Sequence, residues 1–118
     1  STLKALNFYE DYLILYESPP SISKYETPTQ YKTRVNAFKV RRENAQSGRQ
    51  KMRETLAASK VQAGKYVEEY GKYFMTRWKE LGNRPAIQYY NEAITIAPES
   101  DAAKIAEKRV AQLRAANE

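Results

Sequence analysis

A chain of 118 residues with only four glycines and five prolines, but ten tyrosines, has room for one domain with a modest core and favours long helices over strands and turns. It holds no cysteine and no histidine, which excludes the usual zinc sites, thiol nucleophiles, imidazole acid–base catalysis and any disulfide. The net charge of +6 is concentrated: residues 32–60 carry nine Lys/Arg against Glu43 and Glu54, while the first 26 residues are net acidic and the last 58 near neutral.

Ser1-Thr2-Leu3-Lys4 has no signal-peptide pattern and no starting Met, and we read it as a processed or truncated end. No apolar run reaches the roughly 18 residues of a membrane helix. Leu3, Leu6, Tyr9, Leu13 and Tyr16 then keep helical spacing, flanked by Phe8, Tyr12 and Leu15. Ser18-Pro19-Pro20 ends that helix, because proline donates nothing to a helical ladder. Residues 17–27 read as loop.

Thr27-Pro28 has the form of a helix start, a capping threonine before proline at the first helical position. Tyr31, Val35, Phe38 and Arg42 fall on one face of the helix it opens. Asn44 to Gly48 is the weak point of this stretch; a turn, a kink and continuous helix all fit the periodicity, and we divide the stretch there. From Met52 a long stripe runs through Leu56, Ser59, Ala63, Tyr66, Val67, Tyr70, Phe74, Trp78 and Leu81, stopped by Gly82-Asn83. Pro85 opens a helix that Pro98 closes. Ser100 or Asp101 caps the last one, with Ala102, Ile105, Ala106, Val110 and Leu113 facing inward. The predicted helices are 2–16, 28–46, 50–82, 85–97 and 101–115.

Two segments repeat. Residues 5–18 and 86–100 each open with Ala and an aliphatic residue, continue with a polar residue and two aromatics, and close on Glu-Ser. A small residue with an aromatic four later lets a neighbouring helix approach and then fills the next gap. Ala86, Tyr90, Ala93 and Pro98 match the Ala-x3-aromatic-x2-Ala-x4-Pro spacing of a tetratricopeptide second helix. Trp78, Leu81 and Gly82 spell the first-helix string but sit too close to Ala86 for the proper register. The expected fold is all-α, with tetratricopeptide-like antiparallel hairpins in a short irregular solenoid, one long central helix, and a single domain over 1–118.

The wider layout resembles the BamD family of outer-membrane assembly lipoproteins. The features that carry this are Tyr16-Glu17-Ser18-Pro19-Pro20, Tyr25-x-Thr27-Pro28, Arg53-x-x-Leu56-Ala57, and Tyr73-Phe74 with Gly82-x-x-x-Ala86-Ile87-x-Tyr89-Tyr90 and Pro98-Glu99-Ser100 after it. The 28–82 stretch is longer than that family's corresponding helix, leaving room for an extension. The resemblance implies the C-terminal part of a larger periplasmic, outer-membrane-associated protein, tied to the membrane by a lipidated N-terminus ahead of Ser1. It implies envelope assembly subunits as partners.

Nothing in the sequence is arranged for catalysis, a cofactor or a metal. The acid pairs Glu10/Asp11, Glu68/Glu69 and Glu99/Asp101 read as solvated helix surface, since adjacent helical residues point about 100° apart. Gly64 and Gly71 read as close-packing positions, and most tyrosines as core. Two features remain for binding. Arg34, Arg41, Arg42, Arg49 and Arg53 offer a basic face to an acidic protein partner, and Tyr25 and Tyr31 offer aromatics for a peptide groove. The expected function is a non-enzymatic protein-binding scaffold. The alternative is a small basic helical domain for nucleic acid or an anionic membrane surface, although only Tyr31 and Phe38 interleave the cations for base stacking.

Overall fold

The capping signals act where the sequence puts them. In the computed structural model, which describes residues 1–116, every element is helical. Helix α1 is Thr2–Leu15, α2 Pro28–Phe74, α3 Trp78–Leu81, α4 Arg84–Ile96 and α5 Asp101–Ala116. Ser1 Oγ accepts from the Lys4 amide at the start of α1. Thr27 and Gln30 form a reciprocal capping box: Thr27 Oγ1 accepts from the Gln30 amide at 3.1 Å, and Gln30 Oε1 from the Thr27 amide at 2.9 Å. Ser100 caps α5, its Oγ accepting from the Ala103 amide and donating to the Ala97 carbonyl. With Pro98 at its second position, this four-residue turn folds α4 and α5 into a closely packed helix pair.

Two expectations for the middle of the chain are corrected. There is no break at residues 47–49: α2 is one helix of 47 residues. Gly48 lies inside it, where a Cβ would sit 2.5 Å from Tyr9 Cζ, so the residue read as a breaker is a close-packing position. The helix also stops at Phe74, not at residue 82. The chain turns through Met75, Thr76 and Arg77 and lays the Trp78 ring on Gly71, where a Cβ would meet Trp78 Cζ3 at 2.4 Å. Gly82, at φ 56°, then takes a backbone conformation that side-chain-bearing residues avoid, and Arg84 donates to the carbonyls of Glu80 and Leu81.

The chain forms two compact units, residues 1–52 and 53–118. In the first, α1 runs antiparallel to the opening half of α2, since Tyr9 meets Gly48 while Tyr16 faces Phe38 at 6.3 Å. Its buried apolar residues are few, Leu6 and Ala45. The loop before α2 is tied down by Tyr31, whose hydroxyl donates to the Pro20 carbonyl at 2.9 Å.

In the second unit, α4 lies antiparallel to the closing half of α2, as Tyr90 meets Gly64 and Glu92 pairs with Lys60. Helix α5 returns beside α4. The core contains Ala57, Val61, Val67, Ala86, Tyr90, Ala93, Ala97, Ala102, Ala106, Val110 and Leu113. The inward face of α2 here is therefore not the stripe of large residues predicted from Met52. Ala57, Val61, Gly64 and Gly71 are buried, whereas Tyr66, Tyr70 and Phe74 are exposed. Small residues win the inner face because they admit the rings of Tyr90 and Trp78, which then fill the space.

Candidate functional site

The five basic-face residues all lie on α2, the first four in one unit, with Arg53 opening the other. Arg42 and Arg49 come at an interval of seven, near two whole turns at about 3.6 residues each, and so share a side of the helix. Arg34 and Arg41 lie about a quarter-turn away. Arg34 is not a free cation: it donates to Glu26 through Nε at 3.2 Å and to the Ser21 carbonyl at 2.7 Å, and stacks over Tyr31. That guanidinium, with the Ser23 amide next in weight, holds the Glu26 carboxyl below the usual carboxylate range. Arg41 is exposed; Arg42, Arg49 and Arg53 are partly covered. Arg42 lines an open cleft of about 370 Å³ with Pro19, Phe38, Lys39, Glu43 and Gln46.

Of the two groove aromatics, Tyr25 is exposed on the loop with Lys24 Nζ 4.9 Å above its ring. Tyr31 is half-buried and committed to Pro20. Among the repeat-defining residues, Ala86, Tyr90 and Ala93 are buried in the core and Pro98 sits in the α4–α5 turn.

A polar cluster that the sequence reading missed lies in the second unit. Glu68, expected on the surface, is largely covered and accepts from the Tyr90 hydroxyl and from Arg109, whose Nε lies 2.9 and 3.1 Å from its two carboxylate oxygens. Burial pushes the Glu68 carboxyl up, but the hydrogen bonds from Arg109 and Tyr90 outweigh it and leave it below its ordinary value. Burial, then the Glu68 carboxylate, raises the Tyr90 phenol. A carboxylate satisfied by both a cation and a phenol binds three helices together and is not poised to accept a proton near neutral pH. The missed signal was register: Ala57, Val61, Gly64, Glu68, Gly71 and Met75 are spaced four, three, four, three and four, which places Glu68 in a row of small and apolar residues.

The outer side of the same helix segment carries an aromatic row. Tyr66 lies 4.9 Å from Tyr70 and stacks on Phe74 at 5.7 Å between centroids. Tyr66 is 56%, Phe74 54% and the adjoining Tyr73 75% exposed, so three large rings beside Tyr70 face solvent as one patch. Lys72 Nζ lies 5.1 Å from the Tyr73 ring, and the Glu69 carboxylate raises the Tyr70 phenol. The sequence places most tyrosines in the core, yet Tyr90 alone of the large side chains is fully buried among the described residues.

Among the described residues no cluster of acids has the grouping of a metal site, and no helix is long and apolar enough to cross a membrane. No family model, no curated protein and no solved structure matches this chain.

Proposed function

We propose that this chain is a non-enzymatic protein-binding scaffold of tetratricopeptide-like hairpins, acting in the periplasm as part of a bacterial outer-membrane protein assembly complex. The observation that carries the binding role is the exposed row Tyr66, Tyr70 and Phe74 with Tyr73 beside it. Soluble proteins seldom leave a contiguous aromatic patch in water, and tyrosine and phenylalanine are concentrated at protein interfaces. The repeat character is supported by the duplicated Ala-x3-Tyr segments: Tyr9 and Tyr90 each seat on a glycine of α2. The envelope assignment rests on the resemblance in motif layout, and the basic residues of α2 suit an acidic surface on a partner.

The test is affinity purification of the tagged protein from the periplasm of a Gram-negative host, with bound proteins identified by mass spectrometry. Outer-membrane assembly subunits are expected to co-purify and to fall at least about tenfold for the Tyr66→Ser/Tyr70→Ser/Phe74→Ser variant, a loss of roughly 1.4 kcal/mol or more. Its thermal midpoint should be nearly unchanged. Retention of the purified protein on DNA, RNA or anionic vesicles at low salt, lost steeply at moderate salt, would instead select the basic helical domain.

A further inference from the structure

The aromatic row of α2 is complementary to a reversed copy of itself. Tyr66, Tyr70 and Phe74 recur every four residues along one side of the helix, with Tyr70 in the middle. Turned end for end about Tyr70, a second row sets its Phe74 level with Tyr66, its Tyr66 level with Phe74, and its Tyr70 against Tyr70. Every ring then meets a ring, and aromatic pairs are favourable beyond the area they bury. The charges beside the row fit the same arrangement. Glu69 and Lys72 are exposed, lie on the same side of the row, and make no ion pair among the described residues. In the reversed copy Lys72 falls one residue, about 1.5 Å along the axis, from the level of Glu69. Two-fold symmetry makes that contact twice. A parallel copy would instead set Glu69 level with Glu69 and Lys72 level with Lys72.

We infer that a second copy of this chain occupies the aromatic row, as an antiparallel homodimer centred on Tyr70, and so competes with other partners for it. The inference rests on the reading of the row as a docking face and adds its self-occupied state. At roughly 200 Å² a ring, exposures of 56%, 41%, 54% and 75% for Tyr66, Tyr70, Phe74 and Tyr73 leave about 450 Å² per copy to bury. A standard stable interface buries about 800 Å² per partner. The dimer is therefore weak and reversible, with a dissociation constant of about 10–500 µM, and a tighter partner displaces it.

Sedimentation velocity on the full chain, from about 10 µM to about 1 mM at constant ionic strength, tests the pairing. The sedimenting mass should rise from one chain toward two across that range. Tyr70→Ser and Glu69→Lys should weaken the dimer at least about tenfold and fivefold respectively, both with native helical content. The double exchange Glu69→Lys/Lys72→Glu puts the opposite charges back in register and should return the affinity to within about twofold of the original. A chain that stays monomeric throughout, a dimer untouched by Tyr70→Ser, or a double exchange no better than Glu69→Lys would overturn the proposal. A monomer that still captures assembly subunits through the row would leave the scaffold reading intact. A dimer that forms while no subunit is captured would do the reverse.

Discussion

Three aromatic rings rest on three glycines of one helix, and how firmly each ring is held decides what each glycine contributes. Gly64 faces the ring of Tyr90, which is fully buried and hydrogen-bonded to Glu68. A methyl group there would lie 2.7 Å from Cε1, and the ring has nowhere to move. Overpacking costs about 1–3 kcal/mol, against a gain of about 1 kcal/mol from replacing a mid-helix glycine with alanine. Gly64→Ala is therefore expected to lower stability by up to about 2 kcal/mol. At Gly48 the conflict is with the far end of the half-buried Tyr9, which can swing aside. Gly48→Ala should then be neutral or stabilising by up to about 1 kcal/mol. Urea titrations of both variants would measure the contrast, and equal losses would contradict it.

Glu68 yields a pH dependence with a definite sign. Its folded-state pKa is below the ordinary value of 4.5, so its contribution is fully present above that value and lost as pH falls through the folded one. Glu68→Gln should cost about 1–3 kcal/mol at neutral pH, because Arg109 loses its charged partner. The deficit should shrink as the pH drops below 4.5. The single tryptophan, Trp78, packs on Gly71 in the same unit and supplies the fluorescence readout. Parallel stability curves for the two proteins between about pH 7 and pH 3 would rule this role out.

At the level of elements, the capped starts of helices were legible, whereas the end of α2 and its inner face were not. Thr27, Gly82 and Ser100 act through local chemistry, a side-chain oxygen or a missing Cβ, so a few residues suffice to read them. The cap at Thr27 is testable. Thr27→Ala removes the hydroxyl that accepts from the Gln30 amide and should cost about 1 kcal/mol, seen as fraying of the first turn of α2 by NMR. A first turn that keeps its amide protection would show that Tyr31 and Arg34 hold the loop without the cap. The inner face, by contrast, depends on which neighbour arrives. Helical spacing from Met52 points inward to Tyr66, Tyr70 and Phe74, but close approach by Tyr90 and Trp78 needs glycine and alanine beneath them. The basic face was legible as charge in the sequence, whereas the coverage of Arg42 and the pairing of Arg34 with Glu26 depend on packing and on a loop eight residues away.

For the whole molecule, α2 poses a question about cooperativity, because a single hydrogen-bonded helix passes through two units with very different cores. Residues 1–52 bury only Leu6 and Ala45 among their apolar side chains, whereas residues 53–118 bury the cluster built on Tyr90. Helical stability in proteins comes mainly from such tertiary burial and less from the backbone ladder, which is alike along α2. Local opening should therefore be easier in the first half. Hydrogen exchange of the full chain is expected to show the amides at 32–44 exchanging at least about tenfold faster than those at 58–71, a difference of roughly 1.4 kcal/mol in opening free energy. Uniform exchange along Pro28–Phe74 would mean that α2 opens as one cooperative rod, and that the sparse core around Leu6 does not set the stability of its own helix segment.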